Sequence, residues 1–226
     1  GGTWRTGDVR LNTNFIPGFS DGGGMEFVYP SVDSAGNLYV LMQDDTFGTL
    51  YAHTSRDGGE TWPGNPHKLT LNESNPQQLF FTLRSAIAAL AEGHAAVVWA
   101  DEQENSLEGR GNVRIRITRD AGETWLPDQQ VNIADESLPF IGDEERATQP
   151  AVCGTADDRL YVTWRDKGDP DPDVTGEFPG RILLRYSEDG GQTFLPADGE
   201  VRLDRLDDGD PQAEAAQPSV GCLAGG

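Results

Sequence analysis

The chain has no run of about 18 apolar residues, so no transmembrane helix and no membrane insertion are expected. Basic residues are scarce: 17 Lys and Arg stand against 38 Asp and Glu, a net charge of −21. Such a surface repels nucleic acid and anionic membranes, and favours solubility or cation binding. Histidine is sparse too. The three His are scattered and no His or Cys cluster has zinc-ligand spacing, so a transition-metal site is not expected. There are only two cysteines, Cys153 and Cys222, in the similar stretches Gln149-Pro150-Ala151-Val152-Cys153 and Gln217-Pro218-Ser219-Val220-Gly221-Cys222. Two buried free thiols on inner strands are the simpler expectation; a disulfide requires the two Cα atoms to come within about 7 Å. An opening methionine and a signal-peptide pattern are both lacking, so targeting is not legible. Convincing helical periodicity is nearly absent, and the stretch Ala213 to Ala216 is too short to count.

Repetition is what the chain does have. Ser55-Arg56-Asp57-Gly58-Gly59-Glu60-Thr61-Trp62 returns as Thr118-Arg119-Asp120-Ala121-Gly122-Glu123-Thr124-Trp125. It returns again as Ser187-Glu188-Asp189-Gly190-Gly191-Gln192-Thr193-Phe194. The octets start 63 residues apart (55 to 118) and 69 apart (118 to 187). A period of this size dictates the architecture and is read first. Chemically the octet is a tight turn. Its Ser/Thr and Asp side chains accept hydrogen bonds from backbone amides a few residues on. The fifth-position Gly supplies a positive φ, and the closing Thr-aromatic pair re-enters a strand with its ring against a neighbouring sheet. Trp62, Trp125 and Phe194 are therefore expected to be mostly buried at equivalent places between sheets.

The rest of each period repeats as well. Inner strands A are expected at Tyr29–Val32, Ser85–Ala88, Gln149–Val152 and Gln217–Val220. Strands B follow at Leu38–Asp44, Ala95–Asp101 and Leu160–Asp166, each β-branched or aromatic and each closed by an Asp. Strands C span Leu50–Thr54, Val113–Ile117 and Ile182–Tyr186; short strands D follow each octet at Lys68–Asn72, Gln130–Ile133 and Val201–Asp204. Four-stranded units repeated at this period fit an all-β propeller of antiparallel blades, with a β-sandwich as the alternative that leaves the repetition unexplained. Residues 1–226 are read as a single propeller segment, with a partial blade at 1–14, blades at 29–72, 85–133 and 149–204, and a partial blade at 217–226. Gly1-Gly2-Thr3-Trp4 looks like the second half of a further octet. About three complete blades suggest an internal segment of a longer, six-bladed parent, with remaining blades supplied by the parent chain or a partner chain.

The octet resembles the Asp-box, or bacterial neuraminidase repeat, of sialidases and many other β-propellers. That resemblance implies fold more than activity, because enzymes and binding proteins share the turn. For a sialidase it would imply an arginine triad holding the substrate carboxylate, a Tyr nucleophile with a Glu partner, and an Asp acid/base. The family's Arg-Ile-Pro signature has no match: Val28-Tyr29-Pro30, Thr148-Gln149-Pro150 and Ala216-Gln217-Pro218 stand at the analogous places, and Arg84 lacks the proline. The remaining candidates for a ligand face are Arg146, Arg165 and Arg181, with Arg110 on a neighbouring loop, and the repeated Asp44, Asp101 and Asp166. Repetition argues against catalysis by these three Asp, since a catalytic residue is normally unique. No cofactor is expected. Asp169, Asp171 and Asp173 offer closely spaced oxygens to Ca²⁺, without the Gly and distal Glu of an EF-hand.

Three readings of function follow. The chain is expected to be a non-catalytic propeller segment of a secreted or surface protein, presenting a face to glycan or protein. Alternatively it belongs to a sialidase-like exo-glycoside hydrolase whose catalytic residues lie mostly elsewhere, or to an intracellular assembly factor of the Asp-box type.

Overall fold

The computed structural model describes residues 25–44, 49–70, 80–81, 85–103, 112–133, 147–166, 181–203 and 218–222. Helix is absent among them. Thirteen strands run in order: β1 Met25–Val32, β2 Leu38–Asp44, β3 Leu50–Ser55, β4 His67–Lys68, β5 Phe80–Phe81, β6 Ser85–Ala89, β7 Ala95–Gln103, β8 Asn112–Thr118, β9 Gln129–Gln130, β10 Ala147–Gly154, β11 Leu160–Asp166, β12 Arg181–Ser187 and β13 Val201–Arg202.

They form three antiparallel sheets. The first has the order β1-β2-β3-β4 and the third β10-β11-β12-β13. In the second, β5 and β6 both pair with β7, which leads on to β8 and β9. β5 meets Glu102 and Gln103, whereas β6 meets Ala95 to Trp99, so the two pieces share one edge of β7 and act as one interrupted inner strand. Each octet sits in the turn between the third and fourth strands of its sheet, as the repeat predicts.

Two corrections concern the strands. The outer strands are shorter than expected, two residues each. Beyond them a side chain takes over the ladder: Leu50 N–H donates to Thr70 Oγ1 at 3.0 Å, and Val113 N–H donates to Asn132 Oδ1 at 2.8 Å. The inner strands are also shifted against the expected alignment, β6 by one residue and β10 by two. Pro30 pairs with Val40, whereas Val152 pairs with Val162 and Ile87 with Val97. Pro30 therefore corresponds to Val152, and Pro150 falls in an irregular stretch of β10. An edge strand tolerates a proline at either place, because one side of its ladder is unpaired.

The core lies between the sheets. Leu41, Leu50, Ala52 and Leu69 of the first sheet pack against Val97 and Trp99 of the second. Val98, Val113, Ile115, Ile117 and Val131 of the second pack against Leu160, Val162, Trp164, Leu183 and Phe194 of the third. Alternation along each strand explains this. Val40, Val97 and Val162 share one register position, from which Val97 and Val162 face the preceding sheet, and on the opposite face Leu41 and Val98 meet the following one, with Thr163 at the matching position of the third sheet. A sheet buried on both faces reads as a continuous apolar run rather than an alternating one.

The aromatic closing each octet follows the same logic, and all three rings are mostly buried, as expected. Phe194 is the most deeply buried, and Trp62 and Trp125 pack at the margins of their clusters.

The free-thiol expectation is overturned. Cys153 and Cys222 form a disulfide with Cα atoms 5.6 Å apart. Cys153 lies on β10, and Pro218–Cys222 runs beside it without joining a ladder with the described strands.

Candidate functional site

The octet turns and the first-to-second strand turns lie together at one end of the sheets. Each octet closes on itself in the same way. Ser55, Thr118 and Ser187 donate their hydroxyl protons to Asp57, Asp120 and Asp189 at 2.7, 2.8 and 2.7 Å. Those hydroxyl oxygens accept from Gly59, Gly122 and Gly191 N–H at 2.8, 2.9 and 2.8 Å. The same carboxylates accept from the backbone N–H of Thr61, Thr124 and Thr193 at 2.8, 2.9 and 2.9 Å, and from their hydroxyls. The fifth position must be glycine for a reason beyond its positive φ. A Cβ on Gly122 would run into the Thr54 side chain, and one on Gly191 into Ile117, both on the preceding sheet.

These bonds lower the carboxylate pKa values. Asp57 sits at about 2, held there first by the Thr61 hydroxyl and then by the Thr61 and Ser55 bonds. For Asp189 burial works upward, but the bonds from Thr193, Ser187 and Gln192 prevail and bring it to about 2. Burial also opposes the shift at Asp120, which the Thr124 and Thr118 bonds lower. A depressed folded-state pKa contributes stability that is complete above the unfolded value of roughly 4 and is lost as pH falls through the folded one. The urea midpoint should therefore hold steady above about pH 5 and decline between roughly pH 4 and 2. Asp189→Asn should flatten that decline; an unchanged pH profile in the variant would show that the octet carboxylates do not set it.

The octets also join neighbouring sheets. Arg56 pairs with Glu123 at 2.5 Å and donates to the Asp120 and Ala121 carbonyls at 3.3 and 3.4 Å. Arg119 donates in turn to the Asp189 and Gly190 carbonyls at 3.5 and 3.3 Å. At the first-to-second strand turns, Asp33 accepts from Gly93 N–H of the second sheet at 2.8 Å. Asp158 of the third sheet accepts from Ala91 N–H at 3.1 Å and lies 2.8 Å from His94 Nδ1. This end of the molecule is thus occupied by structural bonds.

The opposite end carries the expected ligand face. Arg84, Arg110 and Arg146, together with Asp169, Asp171 and Asp173, lie outside the described residues. The backbone of Asp44 and Asp166 ends β2 and β11, while β7 runs two residues past Asp101; the three Asp hold matching register positions on separate sheets. Arg181 pairs with Asp166 across β11 and β12, and Arg165 pairs with Ile182. Adjacent register positions alternate in direction, so Arg181 is on the sheet face turned to the preceding sheet and Arg165 on the other.

Sequence reading missed two residues at this junction. Arg185 is a buried arginine on β12. It donates to the Val131 carbonyl of the second sheet at 2.7 Å and to the Phe194 and Pro196 carbonyls, both at 2.8 Å. Burial lowers its pKa, and Glu200 acts against that shift. Glu200 accepts from Ile133 N–H at 2.8 Å, and burial raises its pKa. His53 and Arg116 precede the other two octets at the Arg185 position, a chemical variety that hid this position from pattern reading.

Three four-stranded antiparallel sheets, packed face to face in chain order, have the arrangement of β-propeller blades. No family model matches the chain, and no curated protein matches it. Among solved structures it is similar to the NanB sialidase from Streptococcus pneumoniae, at 15% identity over 74% of this chain and 23% of that one, TM-score 0.43. It is also similar to the Hadza microbial sialidase Hz136, at 15% identity over 74% of this chain and 36% of that one, TM-score 0.48. A third is the Penicillium chrysogenum alpha-L-arabinanase complexed with arabinobiose, at 17% identity over 78% of this chain and 49% of that one, TM-score 0.48. The chain thus spans between about a fifth and a half of the proteins it resembles.

Proposed function

We propose that the chain is a non-catalytic Asp-box propeller segment of a secreted or surface protein, and that it presents the end opposite the octets to a neutral glycan. One observation carries the reading. Arg165 and Arg181 occupy opposite faces of the third blade, so they do not converge on one substrate carboxylate from these positions. The missing Arg-Ile-Pro sequence and the net charge of −21 support it, because an acidic surface repels a sialic acid carboxylate. The Cys153–Cys222 disulfide supports an oxidising compartment, where such bonds persist. Arabinobiose, the sugar named with the Penicillium chrysogenum protein, is a neutral probe of the right class.

The test pairs an assay with a titration. Fluorogenic sialosides should show no turnover at low or high salt. Neutral oligosaccharides, arabinobiose among them, should bind saturably by calorimetry while sialylated ones do not. Sialoside turnover that disappears on Arg165→Ala or Arg181→Ala would overturn the proposal and establish the hydrolase reading.

A further inference from the structure

The blade faces repeat closely enough to be compared position by position. Leu69, Val131 and Leu203 donate their N–H groups to Leu50, Val113 and Ile182 carbonyls, each at 2.8 Å, so they are the same position in three blades. Leu69 and Val131 are 0% exposed, each covered by the following blade, whereas Leu203 is 51% exposed. Its neighbours on that face agree. Tyr39 and Ala96 are fully buried, but Tyr161 at the matching register position is half-buried. Ile117 is buried, and Tyr186, its counterpart, is half-buried and stacked on Tyr161. Thr163, also on this face, is 2% exposed, but Leu203, Tyr161 and Tyr186 are the side chains of an inter-blade face without the burial of their counterparts.

We infer that this face receives a further four-stranded blade whose inner strand begins with Pro218–Cys222. Three observations choose that occupant. The disulfide spans 69 residues, the spacing of the second and third octets, so it joins equivalent strands of successive units. Gln217-Pro218-Ser219-Val220 repeats the inner-strand sequence of β10. The face continues, in chain order and register, the two interfaces already formed.

The octet end states the chemistry of the partner. Arg56 and Arg119 reach forward to carbonyls of the next octet, but the third octet has Glu188 at that position. A carboxylate accepts hydrogen bonds and does not donate them to carbonyls. The incoming turn therefore offers Glu188 a basic side chain or backbone N–H groups. Without an arginine at this junction, the disulfide holds the two inner strands together.

The experiment uses the natural polypeptide that carries this sequence. Hydroxyl-radical footprinting of the unmodified protein should find Tyr161 and Tyr186 as protected as Tyr39, with Tyr29 as the exposed reference. Leu69→Ala, Val131→Ala and Leu203→Ala should lower the urea midpoint by amounts within a factor of two of one another. Oxidation of Tyr186 at the rate of Tyr29, or an unchanged midpoint for Leu203→Ala beside lowered ones for the other two, would overturn the inference. A Leu203→Ala effect that grows on dilution, with loss of a dimer by sedimentation, would assign the face to a second copy and overturn the blade.

Discussion

Replacing Trp164 with alanine should lower the unfolding free energy by about 3–5 kcal/mol, the range for large aromatic truncations in packed cores. Trp164 is 1% exposed and stands opposite Leu183 on the face that meets the second blade. Its neighbours in the cluster include Val98, Val113 and Ile115, all fully buried and held on two paired strands. Strands fixed in register cannot move in to fill the space an indole leaves, so the cavity cost adds to the lost transfer energy. The octet aromatics set the scale. Trp125→Ala should cost clearly less, because its ring is less deeply buried, at the margin of its cluster. Urea unfolding of both variants provides the check. A change under about 1 kcal/mol for Trp164→Ala would mean the second and third blades do not share one core.

The difference between these two tryptophans shows what could be read from the sequence. An octet constrained at five positions reveals a turn, because every constrained position serves a bond within eight residues. Ser187, Asp189, Gly191 and Thr193 make the same local contacts as their counterparts in the earlier octets. Blade order was legible for the same reason, since each turn marks the third-to-fourth strand connection. Depth of burial was not, because it depends on what the neighbouring sheet brings up to the ring. Arg185 escaped notice because its partners are backbone carbonyls, which carry no side-chain signature. The proline alignment erred because an edge strand accepts proline at more than one register. At the proposed ligand end, an Asp repeated near the end of each second strand was legible, but residue type alone does not show whether two arginines share a side. Cross-strand register does, and it separates Arg165 from Arg181.

Cysteine pairing was likewise a question of distance. Cys153 and Cys222 sit in similar stretches, and similarity of sequence argues equally for two buried thiols in separate blades. The 5.6 Å Cα separation decides for the bond. Closing a loop of 69 residues removes unfolded-state entropy worth about 4 kcal/mol on the chain-entropy scale. Cys153→Ser with Cys222→Ser should therefore lower the unfolding free energy by roughly that amount, among the largest effects of any paired substitution here. The loss should come mostly from a more open unfolded chain, so the native sheets would stay intact and far-ultraviolet circular dichroism would match the parent. Dithiothreitol on the unmodified protein should reproduce the shift in the urea midpoint, and should leave the double serine variant unaffected. A double variant as stable as the oxidised parent would show that Pro218–Cys222 is held to the third blade by other contacts, with the disulfide adding nothing to the constraint.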